Sequence, residues 1–227
     1  KQKLKIRRIA FRNALQSAFF IMGRIKILTD NKRTVRNFFD KDYTYVAVDT
    51  ETTGLHPTEN FLIEIGAVKF SRYGIIGEPF DILIKPPVEI PMYITELTGI
   101  DDFMVSKCPS AAEAITKFLE YCGGNDTILI AHNAPFDIHF INMELERANM
   151  PALENQVIDT LVMSRTFHPD FKGTEDGPYR LQSLAKRYGI NVLQAHRAND
   201  DARVCMELFQ KLVVERKENT DIKNLAQ

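Results

Sequence analysis

The run Val46-Ala47-Val48-Asp49-Thr50-Glu51-Thr52-Thr53-Gly54 constrains this chain more than any other feature. Its apolar start reads as a buried-type strand, and aspartate and glutamate are poor strand residues, yet two of them follow at once. Alternate side chains of a strand share a face, so Asp49 and Glu51 converge. Two carboxylates held that closely repel each other and call for a cation, a shared proton or an arginine. A strand end can also expose two acids harmlessly to water, so the motif alone leaves function open.

The chain around it sets the class. From Tyr43 onward, short β-rich runs alternate with helical ones, as in an α/β layered domain. Tyr45 to Thr50, Phe61 to Ser71 and Ile75 to Ile84 read as three strands with turn signals at Thr53-Gly54 and Tyr73-Gly74, an expected antiparallel meander. Ser110 heads a helix to about Cys122, with Glu113 completing a capping box. Thr127 to Ala131 is a strand; Pro135 sits at a helix start, and Phe136 to Asn149 is helical. Gln156 to Asp159 is a strand running into a helix to Phe167, and His168 to Tyr179 is a polar loop. Leu181 to Tyr188 is a helix stopped by Gly189, and a last long helix spans Asn199 to about Lys217. The divisions expected are a basic extension over residues 1–42, a catalytic domain over 43–217 and a polar tail over 218–227.

Charge separates the first of these from the rest. Of the 227 residues, the first 42 carry 12 Lys/Arg against 3 Asp/Glu, and the remainder 17 against 27. Lys1 to about Leu28 places Phe11, Leu15, Phe19 and Met22 at helical spacing, so the segment reads as a basic amphipathic helix that packs on the domain, contacts a partner or self-associates. Cys108, Cys122 and Cys205 have neither zinc-site nor disulfide spacing, which favours a reducing, cytoplasmic setting. No apolar run reaches the roughly 18 residues of a bilayer-spanning helix.

Two further acids stand where acids are costly. Asp201 shares the apolar stripe Cys205, Leu208, Leu212, and an acid on a core-facing side needs a partner or a metal. Asp137 shares a face with Phe140 and Ile141 in the first turn of its helix, although acids are favoured there in any case. His196, five residues before Asp201, lies on a loop, where an imidazole suits proton transfer from water.

Asp49-Thr50-Glu51-Thr52-Thr53-Gly54-Leu55, Leu62-Ile63-Glu64-Ile65-Gly66-Ala67-Val68, His132-Asn133-Ala134-Pro135-Phe136-Asp137 and His196-Arg197-Ala198-Asn199-Asp200-Asp201-Ala202 together resemble, in order, the motifs of the DEDD superfamily of 3′-5′ exonucleases. Weaker matches, Leu97-Thr98-Gly99-Ile100, Asp159-Thr160-Leu161 and Leu181-Gln182-Ser183-Leu184, fall between them. The spacing of His196 to Asp201 marks the histidine branch, which contains the proofreading epsilon subunit of bacterial DNA polymerase III. The resemblance implies a ribonuclease H-like mixed sheet, in which an antiparallel meander joins parallel strands, flanked by helices. It implies that Asp49, Glu51, Asp137 and Asp201 hold two Mg²⁺ or Mn²⁺ ions, that His196 is the general base, and that Thr52, Gly54, His132, Asn133 and Phe136 contact the terminal nucleotide. Glu64 and Asp159 match family positions but read as hydrogen-bonded structural acids. The expected substrate is nucleic acid, DNA ahead of RNA, with a DNA polymerase as a further partner. The alternatives are an exoribonuclease and a catalytically silent binding or polymerase-tethering module.

Overall fold

In the computed structural model, residues 26–28 and 30–225 are described. Among these residues seven strands form one mixed sheet: β1 (Lys26–Ile27), β2 (Tyr45–Thr52), β3 (Leu62–Ser71), β4 (Gly74–Ile75), β5 (Phe80–Leu83), β6 (Ile128–Ala131) and β7 (Gln156–Asp159). Their order is β1-β7-β6-β2-β3-β4, with β5 also on β3. The β2/β3, β3/β4 and β3/β5 pairs are antiparallel, whereas β2/β6, β6/β7 and β1/β7 are parallel. The α/β mixed sheet expected from the sequence is therefore present. Its third run differs: Ile75 to Ile84 is not one strand but two, because Gly77 turns the backbone at φ 70° and Pro79 follows it.

The helices are α1 (Asn31–Asp40), α2 (Met92–Thr98), α3 (Asp102–Val105), α4 (Ala111–Cys122), α5 (Ala134–Arg147), α6 (Thr160–Phe167), α7 (Leu181–Tyr188) and α8 (Ala198–Leu225). Local chemistry places their ends. Ser110 and Glu113 form the reciprocal capping box of α4, and Gly189 ends α7 in the left-handed conformation at φ 62°. The strand period decides which helix covers which face. Tyr45 and Ala47 of β2 pack with Phe70, Phe209 and Leu212 in one cluster, under α1, α7 and α8. Val46 and Val48 point the other way, to Phe118, Ile138 and Phe140 of α4 and α5.

Three expectations need correction or restriction. The amphipathic pattern of Phe11, Leu15, Phe19 and Met22 lies outside the described residues. Where that helix was expected to run to about Leu28, Lys26–Ile27 is instead a strand on β7; two residues are too few to show a β alternation in sequence. Behind it, α1 buries Val35 and Phe38, and Phe38 packs edge-on against Phe209 at 5.4 Å. Residues 26–28 and 30–42 thus adjoin the domain's core, and a boundary at 42 is not visible in the packing. Similarly, α8 continues past Lys217 to Leu225. No helix among the described residues is long and apolar enough to cross a membrane.

Candidate active site

The strand period that builds the core also builds the site. Counting on from Tyr45 and Ala47, Asp49 and Glu51 fall on the α8 face of β2, while Thr50 falls on the α5 face. There its hydroxyl donates to Asp137 Oδ1 at 2.8 Å, which holds the buried first turn of α5 against the strand. The chain enters α5 through Asn133 in the left-handed conformation, φ 69°. Asn133 N–H donates to Asp159 Oδ1 at 3.1 Å, and the same carboxylate accepts from Leu161 N–H at 2.9 Å. Asp159 is thus the hydrogen-bonded structural acid that the sequence suggested, joining the starts of α5 and α6.

Helix α8 supplies Asp201, and a glycine sets how closely it comes. Gly66 lies opposite Asp49 in the β2/β3 register. A Cβ at residue 66 would sit 2.1 Å from the Ala198 carbonyl carbon, so only glycine lets the start of α8 rest on the sheet. Glu64, two residues before it and fully buried, grips the same turn. It accepts from Arg197 Nε at 2.9 Å and from Ala198 N–H at 2.8 Å. His196 precedes this anchor with φ 62°. Its own N–H donates to Asp201 Oδ2 at 3.0 Å, and a ring nitrogen lies with carboxylate oxygens of Glu51 and Asp201 in a group spanning no more than 4.8 Å.

The result is a cleft of 330 Å³ lined by Asp49, Thr50, Glu51, His132, Asn133, Phe136, Asp137, Arg180, Leu181, Gln182, His196 and Asp201. The five residues expected to carry chemistry meet there. So do His132, Asn133 and Phe136, but not as uniform contacts. Both His132 ring nitrogens are engaged, Nδ1 with the Thr160 hydroxyl at 2.9 Å and Nε2 with the Tyr179 carbonyl at 2.8 Å. A carbonyl only accepts, so Nε2 carries the proton, and burial depresses the pKa of the ring and keeps it neutral. Phe136 packs on Phe140 at 4.9 Å between ring centres. Thr52 and Gly54 are not in the lining. Thr52 is buried with its hydroxyl donated to the Gly54 carbonyl at 2.6 Å, and a Cβ at Gly54 would meet the Asn60 side chain at 2.6 Å. Both positions shape the turn after β2. Gln182, whose amide donates to Asp201 Oδ1 at 3.3 Å, and Arg180 also line the cleft; in the sequence their one signal is the weak match at and beside Leu181-Gln182-Ser183-Leu184.

Electrostatics show what this arrangement lacks. Burial pushes the Asp49 carboxyl well above the carboxylate range, and Asp137, Glu51 and Asp201 add their repulsion. Glu51 is raised to about 8 by burial and then by Glu64, Asp201 and Asp137, with Arg197 opposing. Asp137 is raised to about 7, again by burial, despite the Thr50 hydrogen bond. Asp201 is raised by burial against the favourable His196 and Gln182 contacts. Four acids converge, none of them in an ion pair with a lysine or arginine among the described residues, and an all-oxygen donor set of this kind fits hard divalent cations.

Fold and site together define a nuclease. The profile of the exonuclease (RNase T) family matches residues 46–209, and the chain belongs to that family. It is 43% identical over 184 residues to the DNA polymerase III subunit epsilon of Treponema pallidum (strain Nichols), an alignment covering 81% of this chain and 83% of that one. It is 38% identical over 206 residues to the PolC-type DNA polymerase III of Latilactobacillus sakei subsp. sakei (strain 23K), covering 89% of this chain and 14% of that much longer one. Among solved structures, exonuclease I superposes with a TM-score of 0.67 at 21% identity, covering 77% of this chain and 41% of that one. Exonuclease X in complex with 5′-overhanging duplex DNA superposes at 0.60 and 24% identity, covering 75% and 92%. These structural likenesses extend to the fold, the ribonuclease H-like mixed sheet expected above.

Proposed function

We propose that the chain hydrolyses phosphodiester bonds at the 3′ end of single-stranded or frayed DNA, releasing nucleoside 5′-monophosphates. Asp49, Glu51, Asp137 and Asp201 would hold two Mg²⁺ or Mn²⁺ ions. The observation that carries this is the convergence of four mutually repelling carboxylates, Asp137 and Asp201 buried and Asp49 and Glu51 half-buried, around one histidine. Divalent cations bound there would neutralise the phosphodiester charge, acidify the attacking water and stabilise the departing 3′-oxygen. His196 takes the proton of that water, and the Glu64–Arg197 anchor fixes the loop from which it reaches. Gln182 and the His196 N–H orient Asp201, and Thr50 orients Asp137, so that the ligands need little rearrangement. Asn133 and Phe136 border the space for the terminal nucleotide, with the Phe136 ring available to a base. His132 acts indirectly, tying the segment at Tyr179 to the end of β6.

The similarity to a chain named as a polymerase III epsilon subunit supports a proofreading setting with a DNA polymerase as partner. Residues 1–25 are the proposed additional contact, and their deletion should weaken polymerase association without lowering 3′-end degradation. The central test is digestion of 5′-labelled DNA and matched RNA with Mg²⁺ or Mn²⁺. Stepwise loss from the 3′ end of DNA is expected, abolished by EDTA and by Asp49→Ala. Degradation that survives Asp49→Ala, or a preference above about tenfold for RNA, would overturn the corresponding part of the proposal.

A further inference from the structure

Arg180 is the only permanent cation among the described residues that line the cleft. An arginine beside four acids would ordinarily be expected to bridge to one of them. Among the described residues it has no ion pair with Asp49, Glu51, Asp137 or Asp201; its carboxylate partner is Asp176, at 3.4 Å, with side chains 67% and 93% exposed. Such an exposed pair contributes little to stability and is readily exchanged.

The backbone beneath that side chain is, by contrast, tightly located. Arg180 sits at the N-terminal end of α7 with φ −65° and ψ 147°, and its N–H donates to the Gly177 carbonyl at 3.0 Å. Tyr179 before it accepts from His132 Nε2 at 2.8 Å and donates its hydroxyl to the His168 carbonyl at 2.7 Å. Two residues after it, Gln182 holds Asp201. A Cβ at Gly177 would lie 2.3 Å from Arg180 Nε, so glycine there keeps room for the arginine stem. The arginine is thus fixed at its root against the groups that hold the acids, while its tip, at the cleft margin, is held only by the exposed Asp176 pair among the described residues.

We propose that Arg180 recognises an internucleotide phosphate, the one next to the scissile linkage on its 5′ side, leaving Asp176 when the strand arrives. This rests on the nuclease reading above. The scissile phosphate belongs with the four acids and their cations, and a 3′-terminal strand continues only in the 5′ direction, so the next anion to be met is that neighbouring phosphate. The planar guanidinium matches two phosphate oxygens at once, which an exposed carboxylate at 3.4 Å does not rival. Asp176 serves as the resting partner that keeps the arginine from folding onto the acids.

The test compares wild type, Arg180→Met and Asp176→Asn on single-stranded DNA with either an ordinary phosphate or a neutral methylphosphonate at the second linkage from the 3′ end. In wild type the neutral linkage should raise KM about tenfold, with kcat changing much less. Arg180→Met should show the same rise on ordinary DNA and no further rise on the neutral linkage, and its dependence of log KM on log salt should be shallower by roughly 0.7. Asp176→Asn should lower KM about twofold by freeing the arginine. An Arg180→Met enzyme that remains as sensitive to the neutral linkage as wild type, or an unchanged salt slope, overturns the proposal. A wild type that does not digest DNA at all removes the nuclease reading instead, so the two failures are distinguishable.

Discussion

Glu51 and Glu64 face each other across the β2/β3 pair, two acids of the same type in the same sheet with opposite circumstances. Glu64 is fully buried and fully partnered, held by the Arg197 guanidinium and the Ala198 N–H. Glu51 is less buried and, among the described residues, has no ion pair with an arginine or lysine, and its carboxyl is raised to about 8. Depth of burial alone does not mark a functional acid. What distinguishes Glu51 is uncompensated charge, since a satisfied buried acid is part of the framework whereas an unsatisfied group of four invites a cation.

The comparison is most severely tested by exchanging the two roles. Glu51→Gln should reduce metal-dependent 3′-end degradation at least about 10³-fold while leaving the metal-free fold as stable as wild type or more so, because it removes repulsion among neighbours. Thermal unfolding in EDTA beside an activity assay measures both, and a marked destabilisation would show that Glu51 is framework after all. Glu64→Gln should do the reverse. Leaving Arg197 without its carboxylate should cost about 3 kcal/mol of stability, read by urea denaturation, and Mn²⁺ binding measured calorimetrically on the folded variant should weaken far less than in Glu51→Gln.

The smallest expected effect sharpens the electrostatic side. Carboxyls raised in the folded chain to about 8 for Glu51 and about 7 for Asp137 bind protons that the unfolded chain, with ordinary carboxyls, has already released. Above about pH 5 the folded state therefore holds more protons, and raising the pH favours unfolding. The metal-free protein should lose roughly 1–2 kcal/mol between about pH 5 and pH 8, solvent in the open cleft screening the rest. Saturating Mg²⁺ should flatten or reverse the trend, because the cation replaces the protons. A metal-free stability that rises over the same range would contradict the uncompensated cluster.

Much of this architecture is legible locally. The α4 capping box, the stop at Gly189 and the placement of Asp49 and Glu51 on one face follow from interactions within a few residues of chain, and these depend little on context. Elsewhere the local signal was too short or belonged to something else. Strand β1 has two residues and exists because β7 offers an edge; the α1 helix lay in a stretch whose conspicuous property was charge; that Thr52 and Gly54 also shape the turn after β2 is visible only in the structure.

By itself, then, the sequence determined which residues carry charge, the period on which they fall and the order in which the motifs occur. Only the tertiary structure decided which acids have partners. Ala198 N–H and Glu64 are separated by 134 positions, Thr50 and Asp137 by 87, and no local rule relates them. Their pairing arises when α8 and α5 pack on opposite faces of β2, in a register that Gly66 alone permits on the α8 side. The same packing left Arg180 at the edge of the cleft with, among the described residues, only an exposed aspartate as its ion-pair partner. Burial is what turns these placements into chemistry, because removing water from like charges converts a pattern of carboxylates into a demand for cations.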